Sequence, residues 1–260
     1  MERYGQPGAH PLVLYCPVSP DDPVFPDDPA FPGTALVTGG ASGIGAAIAA
    51  LLTREGTQVQ VLDLRDGFDV ADAGAWEDVG PVDLACLNAG VTTGETELAS
   101  LSDSAYRRIL GVNVDGVVLG ARRLARIMAP GSAIVATASL AGLVGMPGDT
   151  IYSLTKHAVV GFVRSVAPQL ERRGIRINAV APGIVDTPLI AGTRETLERA
   201  AFPLLAPEEV AQTVLLAARS GRTGEVWVVQ PGREPQPFRF PNVPGARHPG
   251  GASAGAPPDH

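Results

Sequence analysis

A glycine-rich turn between an apolar strand and a helix is the feature that most constrains the fold. Residues 35–37 (Ala-Leu-Val) form a short apolar strand, the turn Thr38-Gly-Gly-Ala-Ser-Gly-Ile-Gly45 follows, and an alanine-rich helix is predicted to about Glu55. Glycines let backbone N–H groups approach a ligand, and a helix N-terminus carries partial positive charge. The alternative is a tight turn that needs glycine only for its backbone angles. Glycines at positions 39, 43 and 45 of a strand-to-helix junction favour a pyrophosphate-binding turn.

Apolar segments alternate with helical segments along the chain after this turn. This alternation predicts an α/β fold, namely a single Rossmann-like, doubly wound domain over residues 34–230 with a seven-stranded parallel sheet flanked by helices. Only 25 residue steps separate Asp63 from Asn88, too few for a full helix on each side of a third strand. The further predicted strands are 58–64, 68–72, 82–87, 133–138, 176–180 and 225–229, and the further predicted helices are 102–129, 151–173 and 207–219.

Two segments rich in proline or glycine flank the predicted domain. Within residues 1–33, a proline falls at every third position from Pro17 to Pro32, as it would along one side of a polyproline II helix. Composition favours a disordered, acidic leader. The alternative is an arm that lays Phe25 and Phe31 on its own domain or on a sister subunit. Residues 231–260 are predicted to form an extended or disordered tail.

Bulk composition excludes several classes of function. The net charge is −7 without a basic block, so neither nucleic acid nor an anionic membrane is expected as a partner. The two cysteines, Cys16 and Cys86, have no spacing typical of a disulfide framework or a metal site, which favours a reducing compartment. The apolar run at 11–18 is too short and proline-broken for a signal peptide or a membrane span. We expect a soluble cytoplasmic protein without a bound metal.

A tyrosine and a lysine lie four residues apart in the predicted helix at 151–173. Tyr152 and Lys156 therefore share one helical face. A free tyrosine titrates near pH ~10, and a nearby ammonium favours its phenolate. Such a pair can remove a proton from an alcohol or return one to a carbonyl oxygen. Chance placement on an exposed helical face is the alternative.

A carboxylate at the end of the second strand indicates which dinucleotide binds. Asp63 lies eighteen residues past Gly45, where it can accept hydrogen bonds from the adenosine ribose and would repel a 2′-phosphate. The two adjacent positions where a basic residue would bind this phosphate hold Ser42 and Leu64, and neither is basic. Arg65, one residue further on, weakens the inference slightly. NAD is predicted over NADP.

Across residues 34–230 the chain resembles the short-chain dehydrogenases/reductases. The resemblance rests on an ordered set of motifs, and Ser139 lies thirteen residues before Tyr152, a usual spacing in that family. Leu87 replaces the first asparagine of the common Asn-Asn-Ala-Gly motif, and the helix between the second and third strands is predicted to be missing. The motifs are Thr38-Gly-x-x-x-Gly43-x-Gly45, Asn88-Ala-Gly90, Asn113, Ser139, Tyr152-x-x-x-Lys156 and Pro182-Gly183.

The resemblance implies a catalytic role for four residues. Tyr152 would be the acid/base, and Ser139 would hydrogen-bond and polarise the same substrate oxygen. Lys156 would bind the nicotinamide ribose and lower the tyrosine pKa. Asn113 would hold a water that links Lys156 to solvent. The alternative for Ser139 is a serine that serves only the turn at a strand end. The alternative for Asn113 is an amide on a helix surface.

The resemblance also implies the residues that bind NAD, with hydride passing directly between substrate carbon and nicotinamide. In this pattern Asp69 and Val70 flank adenine, and Val185 and Thr187 lie beside the carboxamide. Two alternatives stay open: an NADPH-dependent ketone reductase, and a non-catalytic dinucleotide-binding scaffold. The full cofactor-binding set is Gly39, Ser42, Gly43, Ile44, Gly45, Asp63, Asp69, Val70, Asn88, Ala89, Gly90, Tyr152, Lys156, Pro182, Gly183, Val185 and Thr187.

Two apolar loops, at 140–150 and 186–205, are expected to determine the substrate. Their composition suits a lipophilic secondary alcohol or ketone, although such residues would also pack as a lid over a cofactor. Asp149, three residues before the tyrosine, is predicted to select a hydroxylated or basic substrate.

A homo-oligomer is expected from the same resemblance. The predicted arrangement is a dimer through the helices that contain Asn113 and Tyr152. A tetramer is left open, because Gln230-Pro231-Gly232 stands where the family often has Asp-Gly-Gly at a subunit interface.

Overall fold

The computed structural model of the protein describes residues 33–242. The predicted arm at 1–32, with Cys16, and the tail beyond residue 242 lie outside the described residues. The contacts of the chain define two units, and the described part of the larger one runs from Gly33 to Phe238. Of the other unit, residues 239–242 are described, and they form neither helix nor strand.

A seven-stranded sheet with the order β2-β1-β3-β4-β5-β6-β7 forms the centre of the larger unit. Strands β1 to β6 are parallel, whereas β7 pairs antiparallel with β6. This confirms the doubly wound fold class and makes the sheet mostly, not wholly, parallel. The strands are β1 Thr34–Thr38, β2 Gln58–Leu62, β3 Leu84–Leu87, β4 Ala133–Thr137, β5 Arg176–Pro182, β6 Val226–Val229 and β7 Gln236–Pro237.

Six α-helices flank the sheet in the described residues. A π-helical segment, Gly111–Asp115, joins α2 to α3, where the sequence predicted one continuous helix. Short 3₁₀ helices occupy 64–66, 98–100, 140–142 and 188–190. None of the helices within residues 33–242 is both long and apolar enough to cross a bilayer. The α-helices are α1 Gly43–Arg54, α2 Asp103–Leu110, α3 Gly116–Ile127, α4 Thr150–Glu171, α5 Arg194–Arg199 and α6 Pro207–Arg219.

The central strands are buried on both faces, as expected for a parallel sheet covered by helices. Every residue of β3, β4 and β5 is buried. Helices α1 and α6 pack against each other and share an apolar cluster with alternate residues of β1, β3 and β4. Helices α2, α3 and α4 contact one another, and α4 packs along β5. The sheet is thus a rigid platform for the loops at its carboxyl edge.

The strand predicted at 68–72 is wrong, because these residues form turns. The buried side chain of Trp76 packs against these turns instead. Its indole Nε1 donates a hydrogen bond to the Val70 carbonyl (3.0 Å), and the Phe68 ring contacts the indole edge-on, with 5.2 Å between ring centres. A Cβ on Gly120 would lie 2.6 Å from the indole, so α3 packs directly on this ring. The missing helix between residues 63 and 84 is confirmed. β2 therefore forms an edge of the sheet.

The seventh strand comes from the segment that the sequence predicted to be a tail. Gln236–Pro237 pairs with β6 through Val228 and Trp227. Proline, which has no N–H to donate, is tolerated at such an edge position.

Candidate active site

The strand order reverses between β1 and β3, which lie next to each other although β2 separates them in sequence. Ligands of open α/β sheets bind at this kind of switch point, beyond the carboxyl ends of the strands. Here the loops after β1 and β3 are tied together, because the Thr38 Oγ1 accepts hydrogen bonds from the backbone N–H groups of Asn88 (2.9 Å) and Ala89 (3.1 Å). The predicted turns at 38–45 and 88–90 therefore form one crevice.

The glycine-rich turn has no room for larger residues. Gly39 and Gly43 have φ of +64° and +52°, a conformation that side chains rarely adopt. A Cβ on Gly45 would lie 2.2 Å from the Gly39 carbonyl oxygen. Ser42, the N-cap of α1, makes no side-chain capping bond. The first turn of α1, which includes the half-buried Ile44, can therefore direct its N–H groups at a diphosphate. We call the turn at residues 38–45 the glycine cradle, and its shape fits a dinucleotide.

Asp63 closes the crevice on the β2 side. Its carboxylate accepts hydrogen bonds from the backbone N–H groups of Ala41 (3.0 Å) and Arg65 (3.0 Å). The Arg65 guanidinium reaches back to the Ala41 carbonyl (3.1 Å). A carboxylate and a guanidinium thus both border the glycine-rich turn at the predicted ribose position.

Asp69 and Val70 lie just beyond, in the turns that replace the predicted strand. The backbone N–H of Phe68 donates to the Asp63 carbonyl (3.0 Å), which brings this segment back beside the end of β2. Val70 is buried against Gly116 of α3, where a Cβ would be 2.8 Å from its side chain. The exposed Asp69 accepts the N–H of Ala71 (2.9 Å).

The turn after β3 lies over the side chain of Lys156. The Asn88 side chain donates to the Thr38 carbonyl (3.2 Å) and accepts from the Thr137 hydroxyl (3.1 Å), which joins the ends of β1, β3 and β4. A Cβ on Gly90 would lie 3.4 Å from the Lys156 Nζ. This turn therefore connects the cofactor crevice to α4.

Tyr152 and Ser139 meet beside this turn. Burial raises the pKa of Tyr152 from its ordinary value of 10.0 to about 12, although its hydrogen bond with Ser139 lowers the pKa and the charge of Asp149 raises it further. Ser139 follows β4, and its Oγ also accepts the N–H of Ala141 (3.1 Å). The predicted juxtaposition of the two hydroxyls is present. The predicted lowering of the tyrosine pKa is not seen in the protein alone, because burial outweighs the hydrogen bond.

Lys156, the only lysine of the chain, is buried next to the tyrosine. Its Nζ donates to the Thr137 carbonyl (2.7 Å) and lies 5.5 Å from the centre of the Tyr152 ring. Burial lowers the pKa of Lys156 from 10.5 to about 8. The ammonium is thus held in place by the end of β4, with its remaining protons available to a ligand.

Asn113 is fully buried in the π-helical segment. Its Oδ1 accepts the Val91 N–H (2.8 Å), and its Nδ2 donates to the Val91 carbonyl (2.9 Å) and the Thr155 hydroxyl (3.0 Å). π-Helical turns often occur at functional sites, and this one directs the amide inward. The alternative interpretation of Asn113 as an amide on a helix surface is therefore wrong. Both Nδ2 protons are thus used within the protein, and the predicted role of Asn113 in holding a water stays a prediction.

The remaining predicted cofactor residues follow β5. Pro182 ends that strand, and the N–H of Gly183 donates to the Val229 carbonyl (3.0 Å). The buried side chain of Thr187 would meet a Cβ on Gly43 at 3.1 Å, so this loop borders the glycine-rich turn. Val185 is also buried.

Sequence reasoning missed several groups that organise the site. The Thr137 carbonyl holds Lys156, but a backbone atom leaves no signal in the residue type. The Thr155 hydroxyl donates to the Tyr152 carbonyl (2.7 Å) and accepts from Asn113. A hydroxyl residue next to the lysine could have indicated this contact, because threonine in a helix often bonds a preceding carbonyl.

Comparisons with known proteins agree with this geometry. A family model described as enoyl-(acyl carrier protein) reductase matches residues 66–233. Cis-4-hydroxycyclohexanecarboxylate dehydrogenase of Sinomonas cyclohexanicum is 36% identical over 219 residues, which cover 71% of this chain and 88% of that protein. Cyclohexanol dehydrogenase of Acinetobacter sp. (strain SE19) is 34% identical over 213 residues, covering 69% and 85%.

A solved structure with a similar fold contains a dinucleotide. It is a Beutenbergia cavernae protein assigned as an NAD(P)-dependent gluconate 5-dehydrogenase, with NADP bound at low occupancy. It is 28% identical, has a TM-score of 0.67, and the match covers 75% of this chain and 94% of that chain.

The doubly wound sheet, the glycine cradle, the half-buried Ser139 and Tyr152 and the buried Lys156 are the features of a dinucleotide-binding oxidoreductase. With the family model and these relatives, the chain belongs to the short-chain dehydrogenase/reductase family.

The lowered pKa of Lys156 predicts how stability changes with pH. The unfolded lysine keeps its proton up to its ordinary pKa of 10.5, whereas the folded one releases it above about 8. The unfolded chain thus binds more protons in this window, so stability rises with pH there. Between pH 8 and pH 10, we expect the wild type to gain about 2 kcal/mol relative to Lys156→Met in urea unfolding.

Arg54→Met is the control, because it removes one exposed cation from the end of α1. Its unfolding free energy should keep the wild-type dependence on pH. Parallel curves for the wild type and Lys156→Met would contradict the prediction. The comparison stops at pH 10, since the raised pKa of Tyr152 changes stability in the opposite direction above that value.

Proposed function

We propose that the protein is an NAD-dependent dehydrogenase that interconverts a secondary alcohol and a ketone on a lipophilic small molecule. The observation that carries this proposal is that the Ser139 side chain lies close enough to the Tyr152 phenol to lower its pKa, while the Lys156 ammonium lies 5.5 Å from the centre of the tyrosine ring. A cofactor-binding scaffold would have no need of a phenol, a hydroxyl and a buried ammonium arranged in this way.

The chemistry of the site follows from these three side chains. A bound nicotinamide would accept or supply the hydride. During alcohol oxidation, the Tyr152 phenolate takes the hydroxyl proton as the carbon loses hydride; during ketone reduction, the phenol returns a proton to the oxygen. The Ser139 hydroxyl donates to the same oxygen and stabilises its developing charge.

Lys156 acts on the tyrosine through its charge and its fixed position. With a pKa of about 8, the ammonium is mostly protonated at neutral pH. A positive charge near the phenol favours the phenolate, which opposes the effect of burial. The hydrogen bond to the Thr137 carbonyl prevents the long side chain from moving away. The other two ammonium protons are available for the ribose of the cofactor.

The substrate is expected to be a cyclic or similarly bulky apolar alcohol. Two relatives are named for activity on hydroxycyclohexanecarboxylate and cyclohexanol. In this chain, the loops predicted to bind the substrate expose apolar side chains, among them Val144, Leu189 and Phe202. Apolar area of this kind binds a hydrocarbon ring by the hydrophobic effect.

Removal of the phenolic oxygen should test the proposed reaction directly. With NAD and a panel of cyclic secondary alcohols, measured by reduced-nicotinamide absorbance, we expect Tyr152→Phe to lower kcat/KM by roughly a hundredfold to ten-thousandfold. Tyr106→Phe is the matched control, because Tyr106 is an exposed tyrosine of α2. Dinucleotide binding should persist in both variants. Equal loss in both, or turnover unaffected in Tyr152→Phe, would contradict the mechanism.

Asp63 provides a test of the cofactor. Its carboxylate should favour a ribose with free hydroxyls and repel a 2′-phosphate, although the adjacent Arg65 offers a countercharge. We expect the wild type to prefer NAD, and Asp63→Asn to lower kcat/KM for NAD about tenfold while raising the NADP-to-NAD ratio. The neighbouring exposed Asp66→Asn should change neither value. A wild type that prefers NADP would support the alternative NADPH-dependent reductase.

We also propose that two chains associate through α2 and α4. These helices contact each other, and each exposes a large apolar side chain: Tyr106 is 39% and Leu154 48% exposed. In sedimentation velocity, Leu154→Glu should convert a dimer into a monomer, because a charge would be buried at the interface. Leu216→Glu on α6, where the leucine is 49% exposed, should leave the dimer intact and separate only a tetramer into dimers. A monomeric wild type would contradict this proposal.

A further inference from the structure

Asp149 joins two parts of the site that are distant in sequence. Its Oδ1 accepts the backbone N–H of Tyr152 (2.8 Å) and caps α4, and its Oδ2 accepts the backbone N–H of Thr93 (3.0 Å). The residue is only 6% exposed. Both oxygens are thus directed at the protein backbone, which argues against the sequence-based prediction that this carboxylate selects a hydroxylated or basic substrate.

The loop held by Asp149 runs along the first turn of α4. Gly90 lies against the Lys156 ammonium, and Val91 is bonded on both sides of its backbone to Asn113. Thr93 is then fixed to the residue that caps the helix of Tyr152. Residues 90–93 are therefore bonded at Val91 to the π-helical segment and at Thr93 to the N-cap of α4.

The charge of Asp149 also acts on the tyrosine. The Lys156 ammonium on α4 lies 5.5 Å from the centre of the Tyr152 ring, and Ser139 interacts with the phenol from the end of β4. Among the carboxylates, that of Asp149 raises the pKa of Tyr152. The Asp149 carboxylate therefore caps α4 and at the same time raises the tyrosine pKa, an effect opposite to that of the Lys156 ammonium.

We propose that Asp149 is a positioning residue: its carboxylate holds the 90–93 loop against the first turn of α4 and so fixes the wall of the substrate site beside Tyr152. This inference rests on the proposed dehydrogenase function and assigns to that site one specific structural connection. Loss of the connection frees the loop at Thr93 while the glycine cradle and Ser139 stay in place.

Two substitutions separate the contacts of Asp149. Asp149→Asn keeps one oxygen to cap α4 but presents an N–H donor to the second backbone N–H, so the Thr93 bond is lost. Asp149→Ala loses both bonds. We expect KM for the alcohol to rise about fivefold in Asp149→Asn with kcat little changed. In Asp149→Ala, kcat should fall as well, because the first turn of α4 carries Tyr152.

A second measurement does not depend on turnover. Tyrosinate absorbance is recorded against pH for each protein and for the same protein with Tyr152→Phe, and the difference reports residue 152 alone. Removal of the Asp149 charge should move this titration to lower pH in both variants. Asp72→Asn is the control, because Asp72 is an exposed carboxylate that accepts a backbone N–H from Gly74 (2.9 Å) away from the site.

The outcomes distinguish this proposal from the proposed function. A wild type without turnover on any alcohol or dinucleotide would contradict the dehydrogenase assignment, whereas the tyrosinate titration would still report on Asp149. An active wild type whose Asp149 variants keep the wild-type KM and titration would overturn the positioning role. If the Asp149 variants lose thermal stability but keep the wild-type KM and titration, Asp149 is only a helix cap, and the positioning role is overturned as well.

Discussion

The buried hydrogen bond from the Lys156 ammonium to the Thr137 carbonyl connects α4 to the centre of the sheet. Thr137 ends β4, and its hydroxyl also donates to Asn88 at the end of β3. An unpartnered ammonium would be costly to bury, so this bond is a condition for placing the lysine beside Tyr152 at all. The glycine-rich turn, Tyr152 and Lys156 are thereby held in one fixed relation, which the proposed hydride transfer between two bound molecules would require.

The region around Trp76 shows how the fold tolerates a shortened connection. The 3₁₀ turn after Asp63, a few further turns and one buried indole replace a strand and a helix. The indole fits because Gly120 of α3 has no side chain to exclude it. As a result β2 is an edge strand, and the crevice is bordered near Asp63 by turns. The opposite edge is extended by β7, which pairs with β6.

The sequence predicted the doubly wound class, most strands and the juxtaposition of Ser139 with Tyr152, because these depend on local periodicity and on motifs with fixed spacing. It failed at 68–72, where a few apolar residues resembled a strand but the chain is too short to return through a crossover helix. It also predicted an ordinary helix at Asn113, since a π-helical turn differs from an α-helix by one inserted residue that leaves no pattern in composition.

By itself, the sequence determined which chemical groups are present and their spacing along the chain: glycines where a diphosphate needs backbone N–H groups, and a phenol four residues before the single lysine. Only the tertiary structure decided what these groups contact. Burial, which raises the pKa of Tyr152 and lowers that of Lys156, and the bond of Asp149 to Thr93 depend on segments far apart in sequence. Desolvation and hydrogen bonding act through space, so no local pattern could specify them.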